Sequence, residues 1–298
     1  MQHTNIWSVE KPKAIVHIVH GISEHSGRYA HFAKALNEVN FTVYASDLRG
    51  HGKRAGSIEN IGYFADNNGW ELLVQDVIDL TLDIKSKHPN VPVFILGHSM
   101  GSFITRNVAF KEPQLADGFI LSGTAGHPGW KGVIGKPISK LNGLLFGKKA
   151  RSKLLMNTSF TGFNKGIKNK RTELDWLTRD ETIVDAYIND PFCSQIFTNQ
   201  AFNDLAHGVL KINKESNIKK INKETPVLFI SGAMDPVGNY GKGPKEVFEK
   251  YKTAGATKIE LKLFDGGRHE VLNETNKEEV YAFIINWLRE YVSPKKKQ

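Results

Sequence analysis

Hydrophobic and polar positions in the first 123 residues alternate between two patterns. Four continuous apolar runs have the length and β-branched content of buried strands: residues 14–19, 41–45, 92–96 and 118–121. Between these runs apolar residues recur at helical spacing, most clearly over residues 70–87, where one face carries Leu73, Val77, Leu80 and Ile84. Because strands alternate with helices, the pattern predicts a parallel sheet with helices on both faces.

The alternation stops after Gly123 and resumes near residue 222. The intervening segment is rich in Gly, Lys and Asn and contains two short apolar clusters, Leu144-Leu145-Phe146 and Leu154-Leu155-Met156. Further strands are predicted at residues 226–231 and 259–264, and helices at residues 245–253 and 278–291. We therefore predict an α/β fold with a mostly parallel central sheet. It is built from residues 1–123 and 222–298 and interrupted by a helical cap at residues 124–221.

Composition and charge indicate which classes of binding partner to expect, but they add little about the fold. The chain of 298 residues has a formal net charge of +9, but its lysines are scattered and no basic stretch is interleaved with aromatic residues, so we predict no nucleic-acid partner. The charge indicates either a lysine-rich solvated surface or weak, transient attraction to anionic membrane surfaces. With a single cysteine, no signal-peptide pattern and no apolar run of transmembrane length, the expected location is the cytoplasm, with or without peripheral membrane contact.

The strand that ends near residue 96 is followed by Gly97-His98-Ser99-Met100-Gly101, a G-x-S-x-G motif. Between a strand and a helix this motif forms a sharp turn that exposes the serine hydroxyl above the sheet edge, and its glycines leave room for the chain to fold back. A helix N-terminus at Met100 adds free N–H groups beside that hydroxyl. Ser99 is therefore the candidate nucleophile. The alternative is a buried turn serine that caps the next helix.

A serine nucleophile needs a histidine base and an acid that orients the base. In open α/β sheets such groups collect at the carboxyl ends of the strands, so the loops after the last two strands are the places to search. Asp235 is the first acid after one of them and His269 is the histidine after the other, in the chain order Ser99, Asp235, His269 expected of one winding sheet. Asp265, four residues before His269, competes for the role of the acid. The alternatives are a turn aspartate before Pro236 and a loop histidine.

Acyl transfer also needs N–H donors for the oxyanion that develops on the carbonyl. One should be the amide of Met100, directly after the nucleophile, and we assign the second to the amide of Ile22, in the loop after the first buried strand. We interpret His20, His51 and His98 as structural groups at strand ends and in loops. No set of His, Cys or acidic residues has convincing metal-site spacing, so we predict no metal.

Five segments of the chain resemble the signatures of the monoacylglycerol lipase and lysophospholipase group of α/β-hydrolases. They are residues 20–29 (HGISEHSGRY), 47–52 (DLRGHG), 97–101 (GHSMG), 231–237 (SGAMDPV) and 266–274 (GGRHEVLNE). The resemblance covers nearly the whole chain. It implies the α/β-hydrolase fold and the hydrolysis of monoacyl lipid esters without a cofactor. Since only about a dozen residues precede the first buried strand, we expect the antiparallel strands that lead the family's sheet to be shortened or partly missing here.

We therefore expect a serine carboxylester hydrolase that acts on a monoacylglycerol or a lysophospholipid through an acyl-enzyme. Among enzymes the alternative is an aminopeptidase-like or acyltransferase activity of the same triad, and outside them it is a catalytically silent binding protein. In the cap, Leu144 and Leu145 are predicted to bind substrate in an acyl channel, although such clusters can also merely pack the cap onto the body. Cys193 is either a lining residue of that channel or a buried apolar thiol.

Overall fold

The computed structural model describes residues 3–292, without the side chains of residues 129–136, Leu154 and Ser159. The strands are β1 (Thr4–Trp7), β2 (Ala14–Val19), β3 (Phe41–Ser46), β4 (Val93–His98), β5 (Gly118–Ser122), β6 (Val227–Gly232) and β7 (Ile259–Phe264). The α-helices are α1 (Ala30–Glu38), α2 (Gly69–Lys87), α3 (Met100–Lys111), α4 (Gly129–Phe146), α5 (Lys153–Phe160), α6 (Glu181–Asn189), α7 (Asn199–Ile212), α8 (Glu215–Ile218), α9 (Lys242–Thr253) and α10 (Lys277–Val292).

The strands form one seven-stranded sheet in the order β1-β3-β2-β4-β5-β6-β7. The strands from β2 to β7 are parallel to their neighbours, which confirms the predicted mostly parallel α/β fold. At one edge β1 pairs antiparallel with β3, from Thr4 opposite Ser46 to Trp7 opposite Val43. The hydrophobic pattern does not predict β1, because this strand has four residues and its burial is incomplete.

Alternate residues of the central strands pack into apolar layers on opposite faces of the sheet. Along β4, Phe94 and Leu96 join the layer that contains α1 and α10, whereas Ile95 joins the layer that contains α2 and α3. Because both faces are covered, every residue of β4 is buried. This double burial is why the parallel strands appear in the sequence as continuous apolar runs rather than as alternating ones.

The strand order reverses at β2, which lies between β3 on one side and β4 on the other. At the carboxyl ends of β2 and β4, Val19 lies opposite Gly97. A crevice forms outside the strand ends at such a switch point, and this crevice is the usual ligand position in open α/β sheets. The loop after β2 and the turn after β4 therefore meet at the place where a substrate site is expected.

In the described part of the segment between β5 and β6, five helices (α4 to α8) occur and no strand of the sheet. α4 packs along α7, on the side where Ser139 is buried and Gly143 lacks a side chain. The buried Arg106 of α3 donates to the carbonyl oxygen of Ala125 at 2.8 Å and to Oδ1 of Asn213 at 3.0 Å. Residues near the start and near the end of this segment are therefore hydrogen-bonded to α3, the helix that follows the G-x-S-x-G turn.

Candidate active site

Ser99 occupies the turn between β4 and α3. Its backbone has φ 52° and ψ −121°, outside the regions that residues with a side chain normally adopt. The Ser99 amide donates to the Ser122 carbonyl at 2.9 Å, and the Ser99 carbonyl accepts from the Ser102 amide at 2.9 Å. A strained strand-to-helix turn of this kind presents its side chain at the sheet edge. Ser99 thus has the backbone geometry that the motif predicts.

Close contacts across the turn require the two glycines of the motif. A Cβ on Gly97 would overlap the carbonyl oxygen of Gly101, and a Cβ on Gly101 would overlap the carbonyl oxygen of Val19. The turn therefore lies directly against the carboxyl end of β2, just before the loop that contains Ile22. A larger residue at either glycine would push the turn away from that loop.

Asp235 and His269 form a buried pair after β6 and β7. Both carboxylate oxygens of Asp235 lie 3.0 Å from Nδ1 of His269. The Val237 amide donates to Oδ1 of Asp235 at 2.9 Å, and the Ser231 hydroxyl donates to Oδ2 at 3.2 Å. Since Nδ1 faces two acceptors, we assign the imidazole proton to Nδ1, which leaves Nε2 as the acceptor. Asp265, the competing acid, is exposed at the end of β7.

His269 lies next to the Ser99 turn. A Cβ on Gly123 would be 3.1 Å from Cε1 of His269, and the ring centroid of His98 is 4.7 Å from that of His269. Burial lowers the pKa of His269, but the charge and hydrogen bond of Asp235, together with the charges of Glu270 and Glu24, outweigh it, so the pKa lies above its ordinary value of 6.5. Burial, and then the charge of His269, lowers the pKa of His98 to about 4, so His98 is neutral at pH 7. The crevice therefore contains both the Asp235–His269 pair and Ser99.

The loop after β2 passes beside the Ser99 side chain, since a Cβ on Gly21 would be 3.1 Å from Cβ of Ser99. His20 accepts a hydrogen bond from the Leu48 amide at Nε2, at 2.9 Å, and therefore carries its proton on Nδ1. Nδ1 donates to the Gly21 carbonyl at 2.7 Å. No described peptide bond is cis, and in a trans peptide the N–H points opposite to the C=O. The Ile22 amide is therefore turned away from His20.

Two amides beside Ser99 have no protein acceptor. Among residues 3–292, neither the amide of Met100 nor that of Ile22 donates a hydrogen bond to a protein atom. Met100 is the first residue of α3, where unsatisfied amides and the positive end of the helix dipole are expected. The two positions predicted as oxyanion donors thus retain available N–H groups.

A charged network links the loop after β2 to the loop that carries His269. Arg28 donates to both carboxylate oxygens of Glu270 at 2.7 Å and to Oε2 of Glu24 at 2.8 Å. Oε1 of Glu24 accepts from the Gly21 amide at 2.5 Å. Burial raises the pKa of both carboxyls, but Arg28 and neighbouring groups outweigh it and hold the pKa of Glu24 at about 2 and that of Glu270 below its ordinary value. Two carboxylates share one guanidinium, and their remaining negative charge favours protonated His269.

An aromatic cluster of the segment between β5 and β6 lies against His269. The Trp176 ring centroid is 5.2 Å from that of His269, and Phe160 and Phe163 pack on Trp176 at 5.8 and 5.0 Å. Cys193 belongs to the same apolar cluster and is 1% exposed. Burial raises the pKa of its thiol, so the thiol is protonated at pH 7. These three aromatic residues are not predicted from the sequence, where their only signal is their recurrence in an otherwise polar stretch.

Leu144 and Leu145 do not line a dry channel in this structure, which corrects the prediction that they do. They are 76% and 66% exposed, on a face of α4 that also carries Ile138, Leu141 and Phe146. The apolar face points outward because the opposite side of α4, with small residues, is the one that packs on α7. In the second predicted cluster, Leu155 is buried and Met156 is partly buried, while the side chain of Leu154 lies outside the described residues.

Leu144 also borders a cavity of about 330 Å³ between α2, α4 and α7. Its walls include Glu71, Lys140 and Asp204, and none of the three predicted triad residues lines it. A cavity with charged walls is unsuited to an acyl chain. The aromatic cluster beside His269 is the better candidate for apolar substrate contacts.

Three potential metal ligands meet where the segment between β5 and β6 contacts the loop after β2. Ligand atoms of His25, Asp190 and Cys193 lie within 4.8 Å of one another, although their sequence spacing gives no sign of it. The Gly27 amide donates to Nδ1 of His25 at 3.2 Å, so the imidazole proton lies on Nε2, which donates to Oδ2 of Asp190 at 2.9 Å. Metal ligands must be deprotonated, but here Nε2 of His25 and the thiol of Cys193 both carry protons. The cluster is therefore better described as a hydrogen-bonded contact between the two segments than as a metal site.

A parallel sheet covered on both faces, with a G-x-S-x-G turn beside a buried Asp–His pair, defines the class of the α/β-hydrolases. A sequence model of the family described as serine aminopeptidase, S33, matches residues 10–276. The chain belongs to this family of serine hydrolases.

The chain is also similar to proteins with assigned names. It is 28% identical to human monoglyceride lipase over 265 residues, which cover 88% of this chain and 77% of the human protein. It is 30% identical to the monoglyceride lipase homolog of monkeypox virus over 284 residues, which cover 93% and 90%. A solved carboxyl esterase from Bacillus coagulans, in complex with glycerol, superposes with a TM-score of 0.91 at 29% identity, covering 98% of this chain and 94% of that chain. The predicted membership of the monoacylglycerol lipase group of α/β-hydrolases is confirmed.

Proposed function

We propose that the chain hydrolyses carboxylic esters of monoacyl lipids, either monoacylglycerols or lysophospholipids, through an acyl-enzyme on Ser99. The observation that carries this proposal is the buried Asp235–His269 pair, with both carboxylate oxygens 3.0 Å from Nδ1, in the crevice of the strained Ser99 turn. This arrangement supplies a nucleophile, a base and an orienting acid. The names of the human and poxvirus relatives, and the glycerol in the Bacillus coagulans esterase, support a glyceride as the substrate.

In the first half of the reaction, Oγ of Ser99 attacks the ester carbonyl carbon while Nε2 of His269 takes the hydroxyl proton. The electron pair of the carbonyl π bond moves to oxygen, and the amides of Ile22 and Met100 stabilise the oxyanion. Asp235 stabilises the imidazolium. When the oxyanion collapses, the bond to the leaving alcohol breaks and His269 returns its proton to that oxygen. Water then repeats the sequence on the acyl-enzyme and releases the fatty acid.

We assign residues 124–221 the role of a cap over this site. The aromatic cluster of Phe160, Phe163 and Trp176 would form an apolar wall for the acyl chain beside His269, and the buried thiol of Cys193 would complete it. Because such a wall excludes water, it strengthens the interactions of the oxyanion with its donors. The walls around Leu144 are polar or exposed, so the acyl chain is assigned to the aromatic cluster instead.

The cap also has the features of a surface that meets anionic lipid. Residues 124–221 contain sixteen Lys and Arg against eight Asp and Glu, so they carry +8 of the net charge of +9. The exposed apolar residues of α4 lie within this basic region. Basic residues near a membrane surface each contribute about 1 kcal/mol of attraction to anionic lipids, and exposed apolar side chains add to it. We propose reversible contact of α4 with anionic membranes from the cytoplasmic side. No helix in the described part of the chain is both long and apolar enough to cross a membrane.

The test is a hydrolysis screen over monoacylglycerols, lysophospholipids, aryl esters and aminoacyl anilides, each ester as a series of acyl lengths. We expect kcat/KM on the monoacyl lipids to rise with acyl length up to a limit, by up to about 0.8 kcal/mol for each buried CH₂. Phe163→Ser should flatten this rise, whereas Leu82→Ser, on the exposed face of α2, should leave it unchanged. Cleavage of anilides but not of esters would favour the aminopeptidase alternative, and wild-type rates without length dependence would contradict the acyl wall.

A further inference from the structure

The loop that carries the proposed oxyanion donor Ile22 contains a strained residue. Ser23 follows Ile22 directly and has φ of 59°, in the left-handed region that residues other than Gly, Asn and Asp seldom occupy. Ser23 is buried, so water does not satisfy its backbone. A conformation of this kind persists only where surrounding contacts hold it.

Those contacts come from the cap. The Tyr187 hydroxyl donates to the Ser23 carbonyl at 2.8 Å, and the Ser194 amide donates to the same oxygen at 3.2 Å. The Ser23 hydroxyl donates to the Gln195 carbonyl at 2.9 Å. Both lone pairs of the Ser23 carbonyl are therefore occupied by the cap, and its hydroxyl is bonded to the cap as well.

The body of the protein holds the other side of Ile22. His20 donates to the Gly21 carbonyl at 2.7 Å, and this carbonyl belongs to the same peptide as the Ile22 N–H, so the body holds one end of the loop by a single hydrogen bond. Ile22 and Ser23 thus lie between the Gly21–Ile22 peptide, held by the body, and the Ser23–Glu24 peptide, held by the cap. If the cap contacts are lost, Ser23 is free to leave the left-handed region, and rotation there shifts Ile22, with its N–H, relative to Ser99.

Tyr187 is itself held in place for this role. Its ring lies under the guanidinium of Arg28, at 4.7 Å from the ring centroid, and Arg28 is anchored by Glu24 and Glu270. A charge held over an aromatic face restricts the rotation of that ring. The ion pairs of Arg28 with Glu24 and Glu270, which link the loop after β2 to the loop that carries His269, therefore also direct the Tyr187 hydroxyl at Ser23.

We propose that residues 187–195 of the cap position the oxyanion loop, and that Tyr187 is the principal positioning residue. The contacts of Tyr187, Ser194 and Gln195 with Ser23 hold the loop in the conformation that places the Ile22 amide for the oxyanion, and their loss lowers the stabilisation of the oxyanion. The inference rests on the proposed function only in that Ser99 and Ile22 serve acyl transfer. It does not depend on which ester is the substrate.

The test compares Tyr187→Phe with Tyr240→Phe. Each removes one hydroxyl that donates to a backbone carbonyl, but Tyr240 bonds to Lys165, away from the oxyanion loop. The primary measurement is the second-order rate of labelling of Ser99 by an ethyl fluorophosphonate, which develops negative charge on a phosphoryl oxygen in the same donor site. Loss of one hydrogen bond predicts a labelling rate about five- to tenfold lower for Tyr187→Phe and unchanged for Tyr240→Phe. On an aryl ester, kcat should fall by the same factor with KM unchanged.

Circular dichroism and thermal melts of both variants check that folding is intact. Equal labelling rates in wild type and Tyr187→Phe would overturn the inference, as would a change confined to KM, which would mean that Tyr187 contacts substrate. Absence of labelling in the wild type would overturn it together with the proposed role of Ser99. Normal labelling without hydrolysis of any monoacyl lipid would overturn only the proposed substrate and would leave the comparison of the two variants valid.

Discussion

Replacement of Asp235 by Asn tests the assignment of the acid. Both oxygens of Asp235 lie 3.0 Å from Nδ1 of His269, and Oδ1 also accepts from the Val237 amide. In Asp235→Asn the amide oxygen keeps the Val237 bond, so the NH₂ group takes the place of Oδ2. Nδ1 would then face one acceptor and one donor instead of two acceptors, and the hydrogen of the NH₂ group would repel the hydrogen on Nδ1. The imidazole proton moves to Nε2, which can no longer take the proton of Ser99.

The expected loss follows from that tautomer. A wrong tautomer with unchanged geometry lowers kcat by about 10⁴-fold, which corresponds to about 5.4 kcal/mol of transition-state stabilisation. The matched control is Asp265→Asn, because Asp265 is exposed at the end of the neighbouring strand. We expect the control to retain kcat within about twofold, since exposed substitutions away from a site have small effects.

The assay is kcat/KM on a short aryl ester as a function of pH, with folding checked by circular dichroism. Wild-type activity requires neutral His269 and should rise with pH through a pKa above 6.5, since Asp235 raises that pKa against the effect of burial. In Asp235→Asn the residual activity should rise at lower pH, because the carboxylate charge is gone and burial remains. A larger loss for Asp265→Asn, or more than a tenth of wild-type activity in Asp235→Asn, would refute the assignment.

Three further predictions concern stability and the membrane. Arg28→Met leaves two buried carboxylates unpaired and should cost about 3–5 kcal/mol, or about 6–10 °C in melting temperature, whereas Arg49→Met, at a partly exposed pair, should cost under about 1 kcal/mol. Equal losses in thermal melts at pH 7 would contradict the network. The pKa of Glu24 is depressed from 4.5 to about 2, so Glu24 contributes stability that is present above pH 4.5 and lost as pH falls towards 2. Urea unfolding at graded pH should show this loss of stability in wild type and much less of it in Arg28→Met. Leu144→Asp should weaken sedimentation with anionic phospholipid vesicles while sparing soluble aryl esters, and the same effect from Leu82→Asp, on the body, would argue against docking through α4.

The central strands, the sharp turn at Ser99 and the proximity of Asp235 to His269 were predictable because local chemistry and the order of the strands specify them. Strands buried on both faces need continuous apolar runs, and the turn after β4 needs Gly97 and Gly101. The boundaries of α2 and α10 agree with their predictions to within one residue, since each carries an apolar face of regular period. The short β1 was missed because its burial is incomplete and its pairing with β3 joins two segments far apart in the chain.

The contacts between residues 124–221 and the rest of the chain could not be predicted, because they depend on tertiary packing. An apolar cluster such as Leu144-Leu145 has the same pattern whether it faces inward or outward, and the small Ser139 and Gly143 on the other side decided the orientation. Glu24 and Arg28 lie within a recognised segment, but Glu270, which completes their network, is 242 residues from Arg28. The hydroxyl of Tyr187 meets Ser23 across 164 residues, a pairing that no local pattern encodes.

The central claim is that Ser99 forms the acyl-enzyme, and the most direct test is turnover of a monoacylglycerol by Ser99→Ala. Ser102→Ala is the matched control, because it removes a nearby hydroxyl that donates to the Ser99 carbonyl at 2.6 Å and lies on the same helix. We expect Ser99→Ala to remain folded and to lose about six orders of magnitude in kcat, and the control to retain at least a tenth of wild-type activity. More than a few per cent of wild-type turnover in Ser99→Ala would contradict the account.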